Sequence, residues 1–110
     1  MSVINLSSYK KLYLQTAGEY CDSLLKNCHK ILQNPKDTDA LQNIYIRAHS
    51  LKSQSQVMGY SKIEELSGMI EKTAKKFLDE KKSVPEDLMQ AIQKSAEEIK
   101  IALKNIEGEK

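Results

Sequence analysis

Two histidines, His29 and His49, and two cysteines, Cys21 and Cys28, are the side chains in this chain most suited to nucleophilic or metal chemistry. His49 has the neighbours for a reaction. It lies in the run Arg47-Ala48-His49-Ser50-Leu51-Lys52-Ser53-Gln54-Ser55-Gln56-Val57-Met58-Gly59-Tyr60. On a helix, Tyr45, Lys52, Ser53 and Gln56 stand at i−4, i+3, i+4 and i+7 from it and share its face. Such a face offers an imidazole to a partner, with a cation and a small side chain beside it. A neutral imidazole nitrogen is a nucleophile near pH 7, and phosphoryl transfer depends chiefly on positioning and charge stabilisation. Lys52 would offset phosphate charge, and Ser53 would leave space for another protein's active site. A carboxylate on the second ring nitrogen would fix the tautomer. Types and spacing alone do not decide the matter, because a lone helical histidine is more often a surface or boundary residue.

The other candidates read more plainly. Cys21 and Cys28 are seven residues apart in one expected helix, which separates their Cα atoms by about 10 Å along the axis, too far for a disulfide. They read as reduced, buried thiols of a cytoplasmic protein. His29 beside Cys28 lacks the further ligands of a metal site and reads as a surface residue. Tyr9, Tyr13 and Tyr20 read as core or boundary packing. The pairs Lys75-Lys76 and Lys81-Lys82 read as solvated faces that would attract an acidic protein surface.

Any site must be positioned by helices. The 110 residues suffice for one domain, 1–110, with a modest core. Four Gly, two Pro and abundant Lys, Glu, Leu, Ala, Ile and Gln favour helix over sheet. The first helix is expected from about Ser8 to Gln33, with Tyr13, Ala17, Tyr20, Leu24, Cys28 and Ile31 inward, and Leu14, Cys21, Leu25 and Leu32 broadening that face. Asn34-Pro35 stops it. The second runs from Asp37–Asp39 to Met58 on the stripe Leu41, Ile44, Ala48, Leu51, Ser55 and Met58, and Gly59 suits a left-handed cap. Ser61 and Glu64 form a capping-box signature for the third, whose core face is Ile63, Leu66, Ile70, Ala74 and Phe77 and which frays near Lys81-Lys82. The last opens at Ser83 and Pro85, with Ser83 or Val84 as its cap, and lines Leu88, Ile92, Ala96, Ile99, Leu103 and Ile106 inward. Short links imply antiparallel neighbours, hence an all-α, up-and-down antiparallel four-helix bundle, with residues 1 to 7 adding a short terminal helix.

Composition also limits function. The net charge is +2, from 17 basic and 15 acidic residues spread along the chain, without the dense basic patch that nucleic-acid binding uses. No apolar run approaches the roughly 20 residues of a membrane span, and no signal peptide is evident. Neither a Gly-rich phosphate loop nor the Glu-x-x-His pattern of di-iron bundles is present.

The segment His49-Ser50-Leu51-Lys52-Ser53, followed by Gly59, resembles the histidine phosphotransfer (HPt) signature His-x-(Leu/Ile)-Lys-Gly with a later Gly. Arg47-Ala48-His49 and Gly59-Tyr60 are most similar to the N-terminal phosphotransfer domain of the chemotaxis histidine kinase CheA. The resemblance implies that His49 is the phosphoacceptor, that Lys52 lies near the phosphate, and that a glutamate on the third helix, here Glu71, hydrogen-bonds His49. It implies docking of partners at Tyr45, Ser53 and Gln56. A histidine kinase ATPase domain, in cis or in trans, would supply the phosphoryl group. A response-regulator receiver domain would take it onto an aspartate and bring its own Mg²⁺, so the bundle needs no cofactor or metal. It would not be an enzyme on its own, and would act as a cytoplasmic monomer as an isolated domain. Two positions depart from the pattern: Ser53 replaces the Gly after the Lys, and Gly68 replaces a histidine three residues before the glutamate. The rival reading is a non-phosphorylated helical adaptor, and a metal-dependent bundle enzyme is more remote.

Overall fold

Local signals delimit the helices in a computed structural model, which describes residues 6–109. Helix α1 spans Leu6–Gln33, α2 Thr38–Met58, α3 Ser61–Glu80 and α4 Glu86–Glu107. The additional terminal helix expected over residues 1 to 7 does not form as a separate element where it is described. Leu6 and Ser7 belong to the first turn of α1, and residues 1–5 lie outside the described residues.

Pro35 ends α1 through the turn in which the Asp37 amide donates to the Asn34 carbonyl at 3.0 Å. Asp37 then caps α2, its Oδ1 accepting from the Ala40 amide at 3.0 Å. Gly59 closes α2 at φ +79°, and the Gly59 and Tyr60 amides donate to Gln56 and Ser55 carbonyls at 3.2 and 2.9 Å. That pair of bonds is a Schellman closure.

Three boundary expectations need correction. Ser61 and Glu64 do not form the capping box, because the N-cap of α3 is Tyr60 and no side chain caps it. The closure of α2 leaves only Gly59 and Tyr60 as a link, and the Tyr60 ring packs on Tyr13 at 5.2 Å between centroids. At α4 the N-cap is Pro85 rather than Ser83 or Val84, and Val84 is buried in the core instead. Leu88 is 39% exposed while Met89 is 1% exposed. The inward stripe of α4 therefore begins one residue later, about 100° round the helix.

The helices form a ring in which α2 packs on α1 and α3, and α4 packs on α1 and α3. This is the up-and-down antiparallel arrangement expected. Its core is continuous from Tyr13, Leu24 and Cys28 of α1 through Ile44 and Leu51 of α2, Ile63 and Ile70 of α3, to Ile92 and Ile99 of α4. Leu14, Tyr20, Leu25, Leu32 and Met58 pack at its margin, half-buried. Cys21 and Cys28 are free and buried. Burial pushes their thiols up to about 11 and about 12, and Cys21 donates to the Ala96 carbonyl at 3.2 Å.

Candidate functional site

His49 stands near the middle of α2, one residue past the fully buried Ala48. That offset turns its ring toward the edge of the α2–α3 seam rather than into the core. Glu71 occupies the matching place on α3, one residue past buried Ile70. The antiparallel pairing about the Gly59–Tyr60 link places the two at one height, since His49 is 10 residues before Gly59 and Glu71 12 after it. His49 Nδ1 meets Glu71 Oε2 at 2.5 Å, and Lys52 Nζ donates to Glu71 Oε1 at 3.0 Å. One carboxylate thus receives a donor on each oxygen.

Burial of Glu71, whose side chain is 13% exposed, works against its charge. Hydrogen bonds from Lys52 and His49 outweigh that effect and hold its pKa below the ordinary glutamate value. An ionised carboxylate only accepts, so the His49 nitrogen facing it must be the protonated Nδ1. A neutral ring then carries its lone pair on Nε2, and the His49 side chain is 57% exposed. The arrangement can attack an electrophile presented from outside, with Glu71 offsetting the positive charge that develops on the ring.

The remaining expected site residues lie on the same face of α2. Tyr45 is half-buried, its ring 6.4 Å from the His49 ring between centroids, while Ser53 and Gln56 are exposed. Lys52 does not point freely into solvent, because it is tied to Glu71. His29 is exposed and lies 3.2 Å from Gln33.

Sequence reasoning missed an open apolar groove of about 360 Å³ between α1 and α2, lined by Tyr9, Leu12, Tyr13, Ser53 and Val57 among others. Leu12, 59% exposed, and Val57, 86% exposed, form its rim. The signal was present, since Leu12 and Val57 are apolar yet fall outside the core stripes. Ser53 joins this groove to the His49 site, one helical turn away.

Among the described residues no group of three or more His, Cys, Asp or Glu side chains is placed to hold a metal ion. No helix among them is long and apolar enough to cross a membrane.

A search of curated proteins found no match. Among solved structures, the chain is similar to the solution NMR structure of a protein with a redesigned hydrophobic core, at a TM-score of 0.82 and 21% identity, covering 98% of this chain and 95% of that one. That likeness concerns the fold. The profile of the Hpt domain family matches residues 8–107, which contain all four helices but the first turn's opening residues. Hpt domains are phosphocarriers that interact with kinases and response regulators and do not catalyse a reaction on their own. With a match of that extent over a four-helix bundle, the chain belongs to the Hpt domain family, the histidine phosphotransfer modules of phosphorelay signalling.

Proposed function

We propose that His49 is the phosphoacceptor, taking a phosphoryl group from a histidine kinase ATPase domain and passing it to an aspartate of a response-regulator receiver. The observation that carries this reading is the contact of Nδ1 with Glu71 beneath an exposed ring. Nε2 attacks phosphorus, the N–P bond forms as the P–O bond to the donor breaks, and the proton stays on Nδ1. The ring becomes cationic, and the Glu71 carboxylate offsets that charge. In the onward step the receiver aspartate attacks phosphorus, the N–P bond breaks, and the electron pair returns to Nε2. Lys52, whose Nζ donates to Glu71 Oε1 at 3.0 Å, adds a cation to the site that offsets the charge of the arriving phosphoryl oxygens.

Both partners approach the face of Tyr45, Ser53 and Gln56, and the groove rimmed by Leu12 and Val57 extends that face with apolar surface suited to a partner helix. Arg47-Ala48-His49, Gly59-Tyr60 and the Glu71 contact favour a CheA-like subtype within the family. As a phosphocarrier the domain is expected to work as a cytoplasmic monomer without a cofactor of its own.

The test is His49→Gln. The variant should keep its helical circular dichroism and lose all acid-labile label when incubated with a cognate kinase and ATP. Label retained on the variant, or found on His29, would overturn the assignment. A folded wild-type domain that accepts no label from any kinase it binds would favour the adaptor reading.

A further inference from the structure

One turn beyond Glu71 on α3, Lys75 Nζ donates to Asp79 Oδ2 at 3.0 Å. Lys75 and Glu71 are four residues apart and so share one face of the helix. Two contacts fix how that face meets α2. His49 Nδ1 meets Glu71, and three residues further along α2 the Lys52 Cδ lies 3.4 Å from where a Cβ on Gly68, three residues back along α3, would stand. Each step forward on α2 is thus matched by a step back on α3. Tyr45, four residues before His49, and Lys75, four after Glu71, therefore stand level with each other. They lie one turn, about 5.4 Å, from the His49–Glu71 contact. The Asp79 carboxylate and, more weakly, the Tyr45 side chain hold the Lys75 ammonium above its ordinary pKa, which puts Tyr45 within its electrostatic range.

The His49 ring leans toward this end of the seam, since it is stacked with Tyr45 at 6.4 Å and 28°. Nδ1 faces Glu71, so a phosphoryl group on Nε2 emerges on the side away from that carboxylate. It brings close to two negative charges. Lys52 stands one turn to one side of it, and Lys75 is the α3 cation one turn to the other. The bond that now occupies Lys75 is easily exchanged. Its partners are 60% and 66% exposed, and exposed pairs of this kind are weak. The lysine also precedes the acid, the less favourable order along a helix.

We propose that Lys75 is a second phosphoryl-binding cation of this site: Asp79 holds it while His49 is bare, and its ammonium moves to the phosphoryl oxygens once Nε2 is phosphorylated, so that the group sits between Lys75 and Lys52. The exchange makes and breaks ion pairs only, and no bond to phosphorus or proton changes hands. It deepens the reading of His49 as phosphoacceptor and rests on it.

The test uses the full chain carrying His29→Gln, so that one histidine remains, phosphorylated with phosphoramidate and followed by phosphorus-31 NMR. Phosphoramidate requires no kinase, which separates this measurement from the acceptor assay. The midpoint at which the phosphoryl dianion takes up a proton should rise in Lys75→Met by about 0.2–0.7 on the pH scale, because a neighbouring cation favours the dianion. Lys76→Met removes the same charge one residue away, where the ammonium lies 5.7 Å from the Phe77 ring centroid, and should leave the midpoint unchanged. Asp79→Asn should lower the midpoint, and by much less when Lys75→Met is also present. An unchanged midpoint in Lys75→Met, an equal rise in Lys76→Met, or an undiminished Asp79→Asn effect in the double variant would overturn the role of Lys75. A His49 that takes the group from phosphoramidate but not from a kinase would overturn the acceptor reading, and the midpoints would still decide Lys75. A His49 that takes it from neither would overturn both.

Discussion

Glu71 is the residue on which the His49 site depends, because both donors converge on it. The carboxylate selects which imidazole nitrogen keeps its proton, and its own charge is maintained against burial by Lys52 and His49. Glu71→Gln retains the shape but removes the acceptor charge. Loss of one hydrogen bond to a charged group corresponds to about 1.5–3 kcal/mol, so phosphorylation of His49 should slow on the order of tenfold to a hundredfold. Kinase assays on the two proteins check this, and equal rates would make Glu71 a surface residue only. The same substitution has a pH signature. A carboxyl whose native pKa is depressed contributes stability that is present above its unfolded value of about 4.3 and is lost as pH falls through the native value. The gap in urea midpoint between wild type and Glu71→Gln should accordingly be largest near neutrality and close below about pH 4.

The α2–α3 pair positions the site, and its construction follows from its ends. Gly59 at φ +79° lets two amides close α2 in a two-residue link, so α3 returns at once beside α2. The other end of α3 uses the same closure with a less suitable residue. Lys81 sits at φ 54°, with the Lys81 and Lys82 amides donating to the Leu78 and Phe77 carbonyls at 3.2 and 3.1 Å. A side chain in that conformation costs roughly 1–2 kcal/mol through its Cβ, partly offset by glycine's greater freedom when unfolded. Lys81→Gly should therefore stabilise the bundle by about 0.5–1 kcal/mol, read as a higher urea midpoint with an unchanged slope. A lower midpoint would show that the lysine side chain contributes contacts that outweigh the strain. Helix ends marked by backbone chemistry, at Pro35, Asp37 and Gly59, were legible in the sequence because the signal is local. The starts of α3 and α4 were not, since Tyr60 and Val84 are placed by what they pack against rather than by capping.

At the scale of the molecule, four helices in a ring shield a single core that contains both thiols, Cys28 at 0% and Cys21 at 1% exposure. Burial also pushes these thiols up, to about 12 and about 11, so the reactive thiolate is scarce at neutral pH. A thiol reagent should label the native domain more slowly than the unfolded chain by on the order of a hundredfold or more, with the rate following global opening as urea is added. Rapid labelling of the native protein would mean that α1 separates from the bundle far more readily than its packing implies.

The sequence by itself determined the helix count, the inward stripes of α1 to α3, and the His49-Ser50-Leu51-Lys52 segment that resembles the HPt signature. Each of these depends on residue type and short-range periodicity, which the chain carries locally. It also pointed to Glu71 through that resemblance, and the nearly equal distances of His49 and Glu71 from Gly59, 10 and 12 residues, convert to similar height in an antiparallel pair. Tertiary structure decided what depends on the approach of one helix to another. It brought Lys52 from α2 to Glu71 on α3, with the lysine stem beside Gly68. It moved the core register of α4 from Leu88 to Met89 and drew Val84 inward. It also opened the groove between α1 and α2 beside Ser53. Side-chain reach across a seam and the rotation of a helix about its axis are fixed by packing against all neighbours together, and no window of adjacent residues contains that information.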